Sequence, residues 1–219
     1  MNLGDPFPNW CLTEVGGKNV CLHDYLHNRW TIVLTMNASH PVSSSEMASL
    51  WRLQGEFSSR KVALLVIVAA STDSLKQWLK DVQVVSDCSG EFHSFPILAD
   101  GYGQMHRHHG IGDACRDVPH CAYVLGGQNT LQLSLTYPPS TGRNFSELLR
   151  SVLALIVTTE QRVATPVDWN FQSPCLILPE LTEEEVATEF PGGIARRQMP
   201  SGRDYMRYSV DSIKVPNGH

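Results

Sequence analysis

Charge of one sign, long apolar runs and paired-cysteine motifs are what this 219-residue sequence has little of. Its net charge is −5, with a pI near 6.0. The short basic pieces "MHRHH" and "ARRQ" make no extended basic surface, so nucleic acid is excluded as a general partner. The longest apolar runs, "VALLVIVAA" and "VLALIV", fall far short of the roughly 20 residues that a bilayer span requires. The beginning, "MNLGDPFPNW", has neither a basic nor an apolar region of the kind found in a secretory signal. A cytoplasmic location is therefore expected, and the glycosylation-type triplets at Asn37 and Asn144 are read as chance. Six cysteines are scattered without C-x-x-C spacing. In a reducing compartment that predicts free thiols rather than disulfides or a metal framework.

What is present is the composition of a globular protein, 42% apolar and 18% charged, without internal repeats. "TIVLT" and "KVALLVIVAA" read as buried strands. "SSSEMASLWRLQGEFSSR" carries apolar Met47, Leu50, Leu53 and Phe57 at helical spacing. "STDSLKQWLKDV" reads as a helix opened by Ser71, Thr72 or Asp73. "FPILAD" resembles a short edge segment, and "CAYVLGG" and "TLQLSLTYP" two strands joined by "GGQN". "NFSELLRSVLALIVTTEQR" predicts a long helix. Strand and helix alternate first and a hairpin with a helix follows, which suits an α/β domain of thioredoxin-like fold. Beyond "RVATPVDW", five prolines divide the chain into short pieces around an acidic helix, "TEEEVATEF". A boundary near residue 162 is expected, giving a domain over 1–162 and an arm over 163–219.

Two local patterns suggest chemistry. "HPVSSSE" places three serines where a strand hands over to a helix. Ser43 and Glu46 have capping-box spacing, which predicts a helix cap at Ser43. A nucleophilic Ser43 with His40 or His120 as its base is the rival reading, with Glu46 the one acidic group nearby. "MHRHHGIGDACRDVPHC" gathers His106, His108, His109, Cys115, His120 and Cys121. Its spacing matches no tight metal motif, so ordinary surface histidines are expected and no metal or cofactor is assigned.

Several longer motifs occur in order: "GDPFPNW", "TYPPSTGRNFSELLR", "RVATPVDWN", "LPELTEEE", "FPGG" and "MPSGRDYMRY". Together they resemble the 1-Cys peroxiredoxins, thiol peroxidases of the AhpC/TSA superfamily with a C-terminal extension. The resemblance runs from Gly4 to Tyr208. It implies a thioredoxin-like fold and a homodimer with the arm packed across its partner. In that family a proline, a threonine and the peroxidatic cysteine form P-x-x-x-T-x-x-C at a helix start. Here they fall on Met36, His40 and Ser43, while Pro41, Val42 and Glu46 keep the local frame. The family's distant arginine falls on His120, and a histidine near the end of the first strand falls on Thr35. Secondary activities of the class fare no better. A lipase-type serine falls on Arg29 and its aspartate on Gln128, leaving His23 alone, and an H-x-x-x-x-D acyltransferase motif ends in Asn28.

A peroxidatic cysteine reacts as a thiolate, held ionised well below the free-thiol value of about 8.5. It is then carried to a sulfenic acid and reduced by a second thiol. A serine hydroxyl supports neither step. The expectation is therefore a peroxiredoxin-like protein that has lost peroxidase activity and serves a binding or structural role with an unidentified protein partner. The rival is a weak thiol-dependent peroxidase in redox homeostasis that uses another cysteine. Cys121, on the strand face opposite His120, is one candidate.

Overall fold

The structure, a computed structural model, describes residues 1–27, 29–87, 95–101, 103, 105 and 120–211. Two compact units are present, Met1–Phe145 and Ser146–His219. Among the described residues no helix is long and apolar enough to cross a membrane.

The first unit is built on one seven-stranded sheet. In chain order its elements are β1 (Cys11–Glu14), β2 (Asn19–Cys21), α1 (His23–Leu26), β3 (Thr31–Met36), α2 (Pro41–Ser59), β4 (Ala63–Val68), α3 (Thr72–Ser86), β5 (Ile97–Ala99), β6 (His120–Leu125) and β7 (Leu131–Tyr137). Across the sheet the strands run β2-β1-β5-β4-β3-β6-β7. β3, β4 and β5 are parallel. β6 returns antiparallel to β3, and β7 closes a hairpin on β6. Parallel strands joined by helices and followed by an antiparallel hairpin are the thioredoxin-like arrangement that the sequence pattern predicts.

β3 is buried at every residue and β4 at all but its first. That is why both read as continuous apolar runs without alternation. β6 is also wholly buried. Its alternation separates His120, Ala122 and Val124 from Cys121, Tyr123 and Leu125. The latter three join a core cluster with Phe7, Leu22, Leu26, Val33 and Leu98.

The structure departs from the sequence expectations at three elements. "FPILAD" supplies β5, which is an interior strand between β1 and β4. Its three residues, Ile97 to Ala99, are too few to show the two-sided burial of an interior strand as a pattern. The hairpin β1–β2 was not expected, and it brings Cys11 opposite Cys21 in register. These two cysteines form a disulfide rather than the predicted free thiols. Cross-strand closeness is set by pairing and leaves no trace in cysteine spacing. Cys121 and Cys175 are free, as expected, and both are buried. The third departure is where α2 begins.

The second unit holds α4 (Phe145–Glu160) from its second residue onward, β8 (Val163–Ala164), β9 (Leu176–Ile177), α5 (Glu183–Glu189), β10 (Ile194–Arg196) and β11 (Arg207–Ser209). Its four strands form a sheet in the order β10-β11-β9-β8. α5 is the predicted acidic helix and opens with a full capping box between Thr182 and Glu185. Arg207 is buried, and its guanidinium donates to the carbonyls of Leu178 at 2.6 Å and Leu181 at 3.2 Å.

Candidate functional site

The junction of β3 and α2 is built by Pro41. Proline fixes φ and lacks an N–H, so it is favoured at the first helical position, where that N–H would have no partner. The cap is consequently the residue before it. His40 has extended backbone, φ −112° and ψ 127°, and its Nδ1 accepts from the Val42 N–H at 3.3 Å. Ser43 is not the cap, and Ser43 and Glu46 do not form a capping box. The S-x-x-E spacing is there, but it begins inside the first turn.

Each serine of the triplet instead has its own partner. Ser43 is fully buried, and its hydroxyl oxygen accepts the Asn37 backbone N–H at 3.0 Å. Ser44 accepts from Trp78 Nε1 at 2.9 Å, tying α2 to α3. Ser45 donates back to the Val42 carbonyl at 2.7 Å.

β6 delivers His120, also fully buried, so that its Nε2 lies 3.2 Å from Ser43 Oγ. Its ring stands edge-on to that of His40, with centroids 5.8 Å apart. His40, Ser43 and His120 are thus brought together from sequence positions up to 80 apart. On the far side of His120, Nδ1 lies 3.4 Å from Glu46 Oε2, without hydrogen-bond geometry. An ionised carboxylate only accepts, so a proton on Nδ1 would be the one that faces it. Nε2 would then accept from the Ser43 hydroxyl.

Glu46 is held chiefly by Arg143, which was not among the expected site residues. The Arg143 Nε and Nη2 donate to the two Glu46 oxygens at 3.0 and 2.6 Å, and its backbone N–H adds a third bond at 2.7 Å. Nη1 donates to the Cys121 carbonyl at 2.6 Å, and Nη2 also to the Thr35 carbonyl at 3.1 Å. Both side chains are buried. Burial alone would raise the Glu46 carboxyl. The His120 imidazole and the Arg143 guanidinium outweigh it and pull the value down to about 2. Arg143 lies in the segment "TGRNF", 97 residues from Glu46, and no spacing rule connects positions so far apart.

In outline, Ser43, His120 and Glu46 follow a nucleophile–base–acid order. Three observations bear on that order. The hydroxyl is already engaged by Asn37. The carboxylate is neutralised by Arg143. Ser43 and His120 are both fully buried. The other side chains noted in the sequence do not join this group. Met36 is buried at the end of β3. Thr35 Oγ1 accepts the Cys121 N–H at 2.8 Å. His23 is bonded to the Phe7 carbonyl at 2.7 Å. His106, His108, His109 and Cys115 of the histidine-rich stretch lie outside the described residues. Among the described residues, no three His, Cys, Asp or Glu side chains converge as a metal site would require.

Comparison with known proteins fits this architecture. The AhpC/TSA family model matches residues 3–132. The peroxiredoxin-6 of Pongo abelii is 35% identical over 216 residues, covering 94% of this chain and 96% of that protein. The 1-Cys peroxiredoxin of Dirofilaria immitis is 33% identical over 223 residues, covering 94% and 95%. Among solved structures, a cysteine-to-serine mutant of the peroxiredoxin 6 of Arenicola marina superposes with a TM-score of 0.89 at 32% identity. That match covers 98% of this chain and 99% of the other. The chain belongs to the peroxiredoxins of the AhpC/TSA family.

Proposed function

We propose that this peroxiredoxin carries no thiol peroxidase activity at its family's site and acts as a binding or structural protein. The observation behind this reading is Ser43. It lies on the first turn of α2, at the end of a central strand, where the family motif puts the peroxidatic cysteine. A thiolate there would attack one peroxide oxygen, becoming a sulfenic acid and releasing hydroxide. The Ser43 hydroxyl has no such path, and it is already bonded to Asn37 and His120. His120, where the family has arginine, offers a single ring proton in its neutral form instead of a planar set of donors.

The rival reading, peroxidase activity through another cysteine, gains little from the described thiols. Cys121 is buried in the apolar cluster on the other face of β6. Cys175 is fully buried, and burial pushes its thiol up, with a Trp169 contact working the other way. In the proposed reading the chain pairs with a second copy through its arm, residues 163–219, and resides in the cytoplasm. Peroxide consumption in the presence of a thiol reductant tests the proposal. Turnover no faster than that of free thiols supports it, and rapid turnover lost on replacing one cysteine overturns it.

A further inference from the structure

The Cys11–Cys21 pair lies outside the Ser43 network and has no part in the function proposed above. Three observations set it apart from a disulfide that holds a fold together. The first is position. β2 is the edge of the seven-stranded sheet, and the pair bridges it to β1. Cys11 is exposed and Cys21 half-buried, on the face opposite buried Leu12 and Val20. The second is geometry. Flanking backbone bonds join Glu14 to Lys18 and Leu22 to Trp10. That leaves Cys11 and Cys21 as a non-hydrogen-bonded cross-strand pair, with Cα atoms 4.0 Å apart.

The third observation is that the hairpin does not depend on the bridge. Leu12 and Val20 join the core cluster with Phe7, Leu22, Leu26 and Leu98. β1 is also paired to β5 through Thr13 and Glu14. The bridge closes a loop with a sequence separation of only 10, so it restricts the unfolded chain less than a long-range disulfide does. Opened, the two thiols would remain facing each other on a folded hairpin, poised to close again. Exposed disulfides are those open to exchange, whereas structural ones resist reduction by glutathione.

We infer that Cys11–Cys21 is a reversible thiol–disulfide exchange site for low-molecular-mass thiols. The thiolate of a small thiol attacks the exposed Cys11 sulfur. A mixed disulfide forms there, the Cys11–Cys21 bond breaks, and Cys21 leaves as a thiolate that takes up a proton. A second small thiolate attacks the small-thiol sulfur of the mixed disulfide and expels Cys11 as a thiolate. Two electrons have then passed from two small thiols to the protein, leaving a small-molecule disulfide and a protein dithiol. The same steps run backwards when the small disulfide is in excess.

The test equilibrates the folded full-length chain in buffers of stepped reduced-to-oxidised glutathione ratio. Free thiols are blocked with a light alkylating reagent. Disulfides are then reduced and blocked with a heavy one, and the Cys11 and Cys21 peptides are read by mass spectrometry. Peptide-level reading keeps the four other cysteines separate. Both residues should pass together from heavy to light label as the ratio rises and return when it is reversed, with circular dichroism unchanged. In single variants, Cys21→Ser should carry glutathione on Cys11 several-fold more than Cys11→Ser carries it on Cys21. A pair that stays oxidised at every ratio until the protein is unfolded would overturn the inference, and so would reduction that oxidised glutathione does not reverse. Equal glutathionylation of the two variants would overturn the assignment of Cys11 as the attacked sulfur. If either variant fails to fold, the wild-type titration decides alone.

Discussion

Replacing Glu46 by Gln probes the network beneath Ser43 most sharply. The carboxylate accepts three bonds from Arg143 and lies 3.4 Å from His120 Nδ1. A carboxamide keeps the size but not the charge, and it turns a donor toward either Arg143 Nη2 or the Arg143 backbone N–H. Arg143 would keep the Cys121 and Thr35 carbonyls and one amide oxygen as acceptors, but its buried charge would lose its counter-ion. Breaking a buried pair by altering one partner costs about 3–5 kcal/mol, because the remaining charge is uncompensated. The pH dependence gives an independent measure. The Glu46 carboxyl is lowered from 4.5 to about 2 in the folded protein. The unfolded chain therefore binds its proton first as pH falls, and the folded state loses stability through that window. A shift of that size corresponds to on the order of 3 kcal/mol, present above about pH 5 and gone near pH 2. Urea unfolding followed by tryptophan fluorescence, at fixed protein concentration and stepped pH, reads both effects. Glu46→Gln should lower the midpoint strongly at pH 7 and flatten the acid limb. A variant within about 1 kcal/mol of wild type that keeps the full acid limb would refute the buried-pair account.

Further outcomes follow from the same geometry. Ser43→Ala removes the acceptor of the Asn37 N–H and the partner of His120. It should cost about 1–3 kcal/mol in the same unfolding assay, the penalty of an unsatisfied buried donor, and no loss would mean that water or relaxation replaces both bonds. His40→Ala removes the cap contact of α2 and should cost roughly 0.5–2 kcal/mol, whereas an unchanged midpoint would show the long 3.3 Å bond to be idle. Ser43→Cys alone should leave peroxide reactivity near that of a free thiol. Its neighbours would still be His40 and His120, and each missing pre-positioned donor commonly costs about 10²–10³ in rate. Turnover typical of an active peroxiredoxin in that single variant would show the pocket to be intact.

The central strands and their helices were legible because burial on both faces writes itself into consecutive residues, as in β3 and β4. The α3 start was legible too, and Ser71 supplies its cap by accepting from the Ser74 N–H. The α2 cap was misplaced because a capping-box spacing at Ser43 and Glu46 competed with a stronger signal, Pro41. Proline at the first helical position would have put the cap on His40. The Glu46–Arg143 pair and the Cys11–Cys21 bridge were not legible for a different reason. Both are made by strand order and register, which bring together residues that one sequence leaves unconnected. β5 hid in the same way, since three residues carry too little pattern to reveal an interior strand.

The most direct measurement is the second-order rate constant for hydrogen peroxide with the reduced protein, by stopped flow. Wild type is run beside a variant combining Met36→Pro, His40→Thr, Ser43→Cys and His120→Arg. Loss of the family's thiol chemistry predicts that wild type reacts no faster than free cysteine, and that the four-site variant gains orders of magnitude through a thiolate at the helix start. A wild-type protein that already reacts orders of magnitude faster than free cysteine would contradict it.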